Sequence, residues 1–137
     1  TRSVPELFPY GIYTIPEISM VGRTEEELTQ QGVPYEVGKA HYREIARGQI
    51  SNIQDGLLKM VADRSGRLLG VQIVGEGATE LIHIAQMALL AGFDAGIFVD
   101  NIFNFPTLAE AYRVAAYGNQ TEAAAATSRP DIRDLSV

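Results

Sequence analysis

Apolar positions along the chain follow two different spacings. From Ala78 to Ala91 they recur as on a helix: Ala78, Leu81, Ile82, Ala85, Ala88 and Leu89 form one stripe at 100° per residue. Ile84, Met87, Leu90 and Ala91 are apolar too and fall elsewhere on the wheel, so only a narrow arc of Thr79, His83 and Gln86 stays polar, with Glu80 near its edge. A helix apolar most of the way round is buried on more than one side, and in so small a chain the second side points to a partner. Leu57 to Val61 and Arg67 to Val74 read instead as two strands around Asp63-Arg64-Ser65-Gly66, a tight reversal. Alternation places Leu58, Met60 and Ala62 on one face of the first arm, and Leu69, Val71 and Ile73 on one face of the second.

Local signals add the remaining elements. Thr1 to Pro16 carries three prolines and a glycine among aromatics, so it reads as extended chain with at most edge-strand character. Ile18 to Gly22 is a short strand, and Tyr35 to Tyr42 another; Arg47 to Gly56 is polar and turn-rich. Thr24-Glu25-Glu26-Glu27 is a capping box that starts a helix ended by Gly32 and Pro34. Thr107-Leu108-Ala109-Glu110 repeats the box and predicts a helix from Pro106 to Tyr117, terminated by Gly118; Phe93 to Asn104 is mixed, with a short helix. Helices interleaved with a hairpin give an α+β fold, helices packed on an antiparallel sheet. Residues 1–118 form the expected domain, and residues 119–137, an alanine run and then a polar stretch, a flexible tail.

Composition narrows the partners. With 137 residues the chain is one compact unit, and 46% hydrophobic content argues against wholesale disorder. A net charge of −6 makes nucleic acid an improbable ligand. No run of about 18 apolar residues is present, and no signal-peptide core precedes the first strand, so no membrane span is expected. The absence of cysteine removes disulfides and thiolate chemistry from this chain. It does not start with Met and reads as a piece of a longer protein.

Candidate chemistry is sparse. Gly75-Glu76-Gly77 opens like a dinucleotide fingerprint, but Glu80 stands at the third glycine and Glu76 would set a carboxylate beside a pyrophosphate, which favours a plain strand-to-helix turn. His41 and His83 lie on different elements without metal-ligand spacing, and neither accompanies a nucleophile motif. Glu110 reads as the last member of its capping box; Tyr112, Arg113 and Tyr117 read as helix surface or interface; Lys39, Arg43, Arg47, Lys59, Arg64 and Arg67 read as a solvated face. No catalytic residue and no metal ligand emerges.

One segment changes the picture. Asn101-Ile102-Phe103-Asn104-Phe105-Pro106-Thr107-Leu108-Ala109-Glu110 resembles the His-x-His-Pro-Thr-x-x-Glu segment of the C-terminal dimerisation domain of flavin-dependent pyridine nucleotide–disulfide oxidoreductases. Tyr13 to Gly22 with Thr24-Glu25-Glu26-Glu27, and Leu69 to Gly75 followed by Ala78 to Ile82, are similar to two further family segments in the same order. The resemblance runs from about Tyr10 to Gly118. In disulfide reductases of this family a histidine before the Pro-Thr is the acid/base for the thiols, reaching across the dimer. Here that position is Phe105, and the earlier histidine is Phe103. Phenylalanine transfers no proton, so dithiol exchange of that kind is unsupported.

The segment from Phe105 through Ala116 looks like the soluble, Si-specific NAD(P)+ transhydrogenase branch, in which hydride passes between NADPH and NAD+ through FAD. The resemblance implies a homodimer, FAD and NAD(P) domains upstream in the same chain, and a cytoplasmic location. It makes Phe105 and Pro106 the residues nearest the partner subunit's flavin, and it implies an isolated domain that is inactive and holds neither FAD, NAD nor NADP. Two alternatives stand beside it: the dimerisation domain of a flavin disulfide reductase such as a dihydrolipoamide dehydrogenase-like enzyme, and a non-enzymatic pairing module.

Overall fold

The computed structural model describes residues 7–127, with side chains described as far as residue 120. Five antiparallel strands form one sheet in the order β1-β2-β5-β4-β3: β1 Tyr10–Ile12, β2 Ile18–Gly22, β3 Glu36–His41, β4 Leu57–Ala62 and β5 Leu68–Val74. The α+β expectation is met, and the proline-rich opening supplies only the short edge strand β1. Residues 1–6 and 128–137 lie outside the described residues, and so does most of the expected tail.

One face of the sheet carries the core. The cross-strand rows Ala40, Leu58, Ile73 and Ser19, and Gly38, Met60, Val71 and Val21, point to that face. Two helices lie on it, α3 (Ala78–Leu90) over β2 and β5, and α5 (Ala111–Thr127) over β3 and β4. The close approach of α5 depends on small residues. A Cβ at Gly38 would sit 1.8 Å from the Ala115 carbonyl, and Ala111, Ala115 and Ala116 are all buried.

The helix α1 (Glu25–Gln30) begins on the expected capping box. Thr24 Oγ1 accepts from Glu27 N at 3.2 Å, and Glu27 Oε2 accepts from Thr24 N at 2.9 Å. Glu25 then pairs with Lys59 on the opposite face of the sheet, so Lys59 is not merely solvated. Asp63 organises the β4–β5 turn: its Oδ1 accepts from Ser65 N (2.8 Å), Ser65 Oγ (2.6 Å) and Arg67 N (3.0 Å).

Several expectations are corrected. A bulge at Val61/Ala62 shifts the register so that Leu68 faces Ala62 and is buried, while Leu69, expected on the inner face, is only partly covered. The second capping box does not form: Thr107 Oγ1 donates back to Asn104 O at 2.7 Å, Leu108–Glu110 is a single tight 3₁₀ turn, and α5 starts at Ala111. Gly118 does not end that helix, which runs on to Thr127; it faces β3, where an added Cβ would lie 3.3–3.9 Å from the Gly38 and Lys39 backbone, so the glycine serves close packing rather than termination. Within the turn-rich stretch from Arg47, a short helix α2 (Ala46–Ile50) appears, and the mixed stretch after Gly92 contains α4 (Ile97–Asp100). Along α3 the buried stripe narrows to Ala78, Ile82, Ala85 and Ala88, Leu81 and Leu89 sit at its edges, and Met87 and Leu90 are exposed.

Candidate functional site

The glycine-flanked turn before α3 resolves as structure. Gly77 is the helix N-cap with φ of 74°, a left-handed conformation that suits glycine. The helix N-terminus is already occupied by a carboxylate from the β1–β2 loop: Glu17 Oε2 accepts from Thr79 N at 3.1 Å and from Thr79 Oγ1 at 2.7 Å. These bonds, led by the one from the hydroxyl, hold the Glu17 carboxyl below its ordinary range. An internal anion thus stands where a phosphate would have to sit.

The histidines remain apart. His83 is exposed on α3, its Nδ1 2.9 Å from Gln86 Oε1, while His41 lies on β3 and its backbone N–H donates to Glu44 Oε2 at 3.0 Å. Among the described residues no group of three His, Cys, Asp or Glu side chains could hold a metal ion. Also among them, no helix is long and apolar enough to cross a membrane.

The segment between α4 and α5 is where side chains gather. Phe98 on α4 packs against Tyr112 on α5 with ring centroids 4.9 Å apart, and Phe103 lies 6.5 Å from Phe98. Tyr112, read from the sequence as surface or interface, is fully buried and donates its hydroxyl to Leu81 O on α3 at 2.6 Å. Burial pushes its ionisation far above the ordinary tyrosine value. Arg113, the next residue round the helix, is partly buried, donates to Asn101 O and places its guanidinium 5.9 Å from the Phe103 ring centroid. Arg47, on α2, donates from Nε (3.2 Å) and Nη2 (2.9 Å) to the carbonyl of Pro106.

Phe105 sits at the outer tip of this segment, 72% exposed, and is joined to Pro106 by a cis peptide bond. Beside it runs an open groove lined by Ile45, Ala46, Phe105, Glu110, Arg113 and Val114. The structure therefore brings Phe105, Pro106 and Glu110 together and leaves His41 and His83 elsewhere. Chemically the tip offers an apolar ring and backbone carbonyls, with nothing at position 105 to give or take a proton. The roles of Arg47 and Arg113 escape sequence reading. Arg47 meets its acceptor across 59 residues of chain, which no local spacing reveals.

The profile described as "Pyridine nucleotide-disulphide oxidoreductase, dimerisation domain" matches residues 8–116, most of the chain. The chain belongs to this family. Its dimerisation domains are represented among curated proteins by the soluble pyridine nucleotide transhydrogenase of Mycobacterium tuberculosis, 51% identical over 117 residues, which covers 85% of this chain and 25% of that protein. The soluble pyridine nucleotide transhydrogenase of Pseudomonas savastanoi pv. phaseolicola is 51% identical over 113 residues, covering 80% and 24%. The chain thus spans about a quarter of the length of the curated relatives it matches. Among solved structures, the HOCl-induced flavoprotein disulfide reductase RclA from Escherichia coli superposes with a TM-score of 0.78 at 29% identity, over 82% of this chain and 26% of that one. LpdA from Mycobacterium tuberculosis, at 24% identity and a TM-score of 0.75, shares the fold. A pyridine nucleotide–disulphide oxidoreductase dimerisation domain implies assembly of subunits, and the family implies flavin and pyridine nucleotide use.

Proposed function

We propose that this chain is the dimerisation domain of an FAD-dependent soluble pyridine nucleotide transhydrogenase, pairing two identical subunits and completing the flavin site of each partner with Phe105 and Pro106. The observation that carries this is the 51% identity to soluble pyridine nucleotide transhydrogenases over 117 residues, and an exposed Phe105, which transfers no proton, fits it. In the whole protein, bound FAD supplies a hydride relay between NADPH and NAD+. This chain's residues do something simpler. An aromatic ring that is largely open on a single subunit, on a segment fastened to α2 and α5, suits one wall of a flat aromatic site whose other walls lie elsewhere. There the ring excludes water, and a dry site favours hydride transfer over leakage to solvent. Glu110 has no imidazole to orient and acts as a lining group of the groove.

The exposed apolar residues fit the pairing role. Met87 and Leu90 on α3 and Phe93 just beyond it are 56%, 55% and 46% exposed, and contiguous apolar surface of this kind marks interfaces. Two-fold pairing would bring the same patch together from both subunits.

A disulfide reductase is the competing assignment, supported by the likeness to RclA. One experiment separates them. The purified parent flavoprotein is assayed for NADPH-to-NAD+ hydride transfer and for lipoamide and glutathione reduction, in the wild type and in Phe105→His. Hydride transfer without disulfide reduction in either form is the expected result. Disulfide reduction by the wild type, together with a redox-active Cys-x4-Cys pair upstream, overturns the proposal.

A further inference from the structure

Residues 101–107 have no regular secondary structure, so their shape is set by whatever grips them. Two arginines do so. Arg113 holds the start of the segment through Asn101 O and the face of Phe103. Arg47 holds its end, with two N–H groups on the Pro106 carbonyl. Between the two grips stands Phe105, with most of its ring in the open.

We infer that Arg47 is a positioning residue, fixing the angle at which the Phe105–Pro106 turn is presented; this rests on the assignment of that turn to the partner's flavin site. A guanidinium is planar and rigid, so two of its N–H groups on one oxygen restrict both distance and rotation, whereas a lysine ammonium makes a single-point contact. Arg47 is itself exposed, so removing it opens no core cavity. Both side-chain hydrogen bonds of Arg47 end on the Pro106 carbonyl, and among the described residues no carboxylate forms an ion pair with it. A side chain whose bonds all end on the backbone of a functional turn acts through that turn.

The test uses the FAD-loaded parent enzyme in four forms besides the wild type: Arg47→Ala, Arg47→Lys, Phe105→Ala and the Arg47→Ala/Phe105→Ala double variant. Three properties are read: the rate of FAD release, the visible-region circular dichroism of the flavin, and kcat and KM for hydride transfer. Arg47→Ala should speed FAD release and lower kcat, each roughly three- to tenfold as for loss of a solvent-exposed hydrogen bond, with KM unmoved and the dichroism altered. Arg47→Lys should recover only part of this. In the Phe105→Ala background, removing Arg47 should add less than about twofold, because the ring it positions is gone. Wild-type FAD release and dichroism in Arg47→Ala, or full additivity with Phe105→Ala, would overturn the role. If Arg47→Ala does not assemble, Arg47→Lys decides, since it keeps the charge; wild-type release and dichroism there would also overturn it. Wild-type behaviour in Phe105→Ala itself would instead remove the flavin assignment of the turn, and the role of Arg47 with it.

Discussion

Two buried tyrosines tie the domain together at single atoms. Tyr42 donates its hydroxyl to Glu76 O at 3.1 Å, and Tyr112 donates to Leu81 O at 2.6 Å, so each fixes a strand-to-helix or helix-to-helix junction far away in sequence. Tyr112→Phe keeps the ring against Phe98 and loses the hydroxyl's bonds to the α3 backbone at Leu81 and Ala85; it should lower stability by about 1 kcal/mol in urea unfolding. Asp63 makes a pH-dependent contribution. Partial burial would raise its carboxyl, but the bonds from Ser65 and Arg67, with the nearby Arg67 charge, outweigh this and hold it low. A carboxyl more acidic in the folded chain stabilises it fully above the unfolded value and ceases to do so as pH falls through the folded one. The urea midpoint should therefore fall as pH drops below about 4, and Asp63→Asn should flatten that fall.

At the scale of elements, the contact between α5 and β3 decides where the Phe105–Pro106 turn sits. The helix lies close because Gly38 has no side chain, and that helix carries Arg113 and follows directly on the segment holding Phe105. Gly38→Ala would place a methyl carbon 1.8 Å from the Ala115 carbonyl, which no side-chain adjustment relieves. Helix and strand must part, and the loss should reach about 2–3 kcal/mol in thermal or urea unfolding. The capping box at Thr24 was legible in the sequence because its two bonds join residues three apart on a free-standing helix start. The box at Thr107 has the same letters and does not form, because Asn104 O offers that hydroxyl a partner in the preceding loop.

For the whole molecule, pairing and chemistry are linked in the proposed assembly: Phe105 works on the partner's flavin only while two subunits are held together. The exposed α3 residues Met87 and Leu90 are the place to test this. Replacing both with aspartate buries two charges in the interface, and should convert the parent dimer to monomers at micromolar concentration in light scattering. FAD retention should fall in parallel, because the proposed flavin contact needs the paired subunits. A stable dimer with both substitutions would place the interface elsewhere.

The β4–β5 hairpin, the helical stretch of α3 and the first helix cap follow from the order of residues alone, because each rests on alternation, helical period or bonds within one turn. The family resemblance is equally local, carried by short runs such as Phe105 to Ala116. What the chain order could not settle depends on contacts made across distance. The bulge that exchanges Leu69 for Leu68, the burial of Tyr112 beneath α3, the continuation of α5 past Gly118 and the reach of Arg47 to Pro106 all depend on which surfaces meet after folding. A residue's own neighbours fix its backbone preference; only the assembled sheet and helices decide which carbonyl an arginine finds.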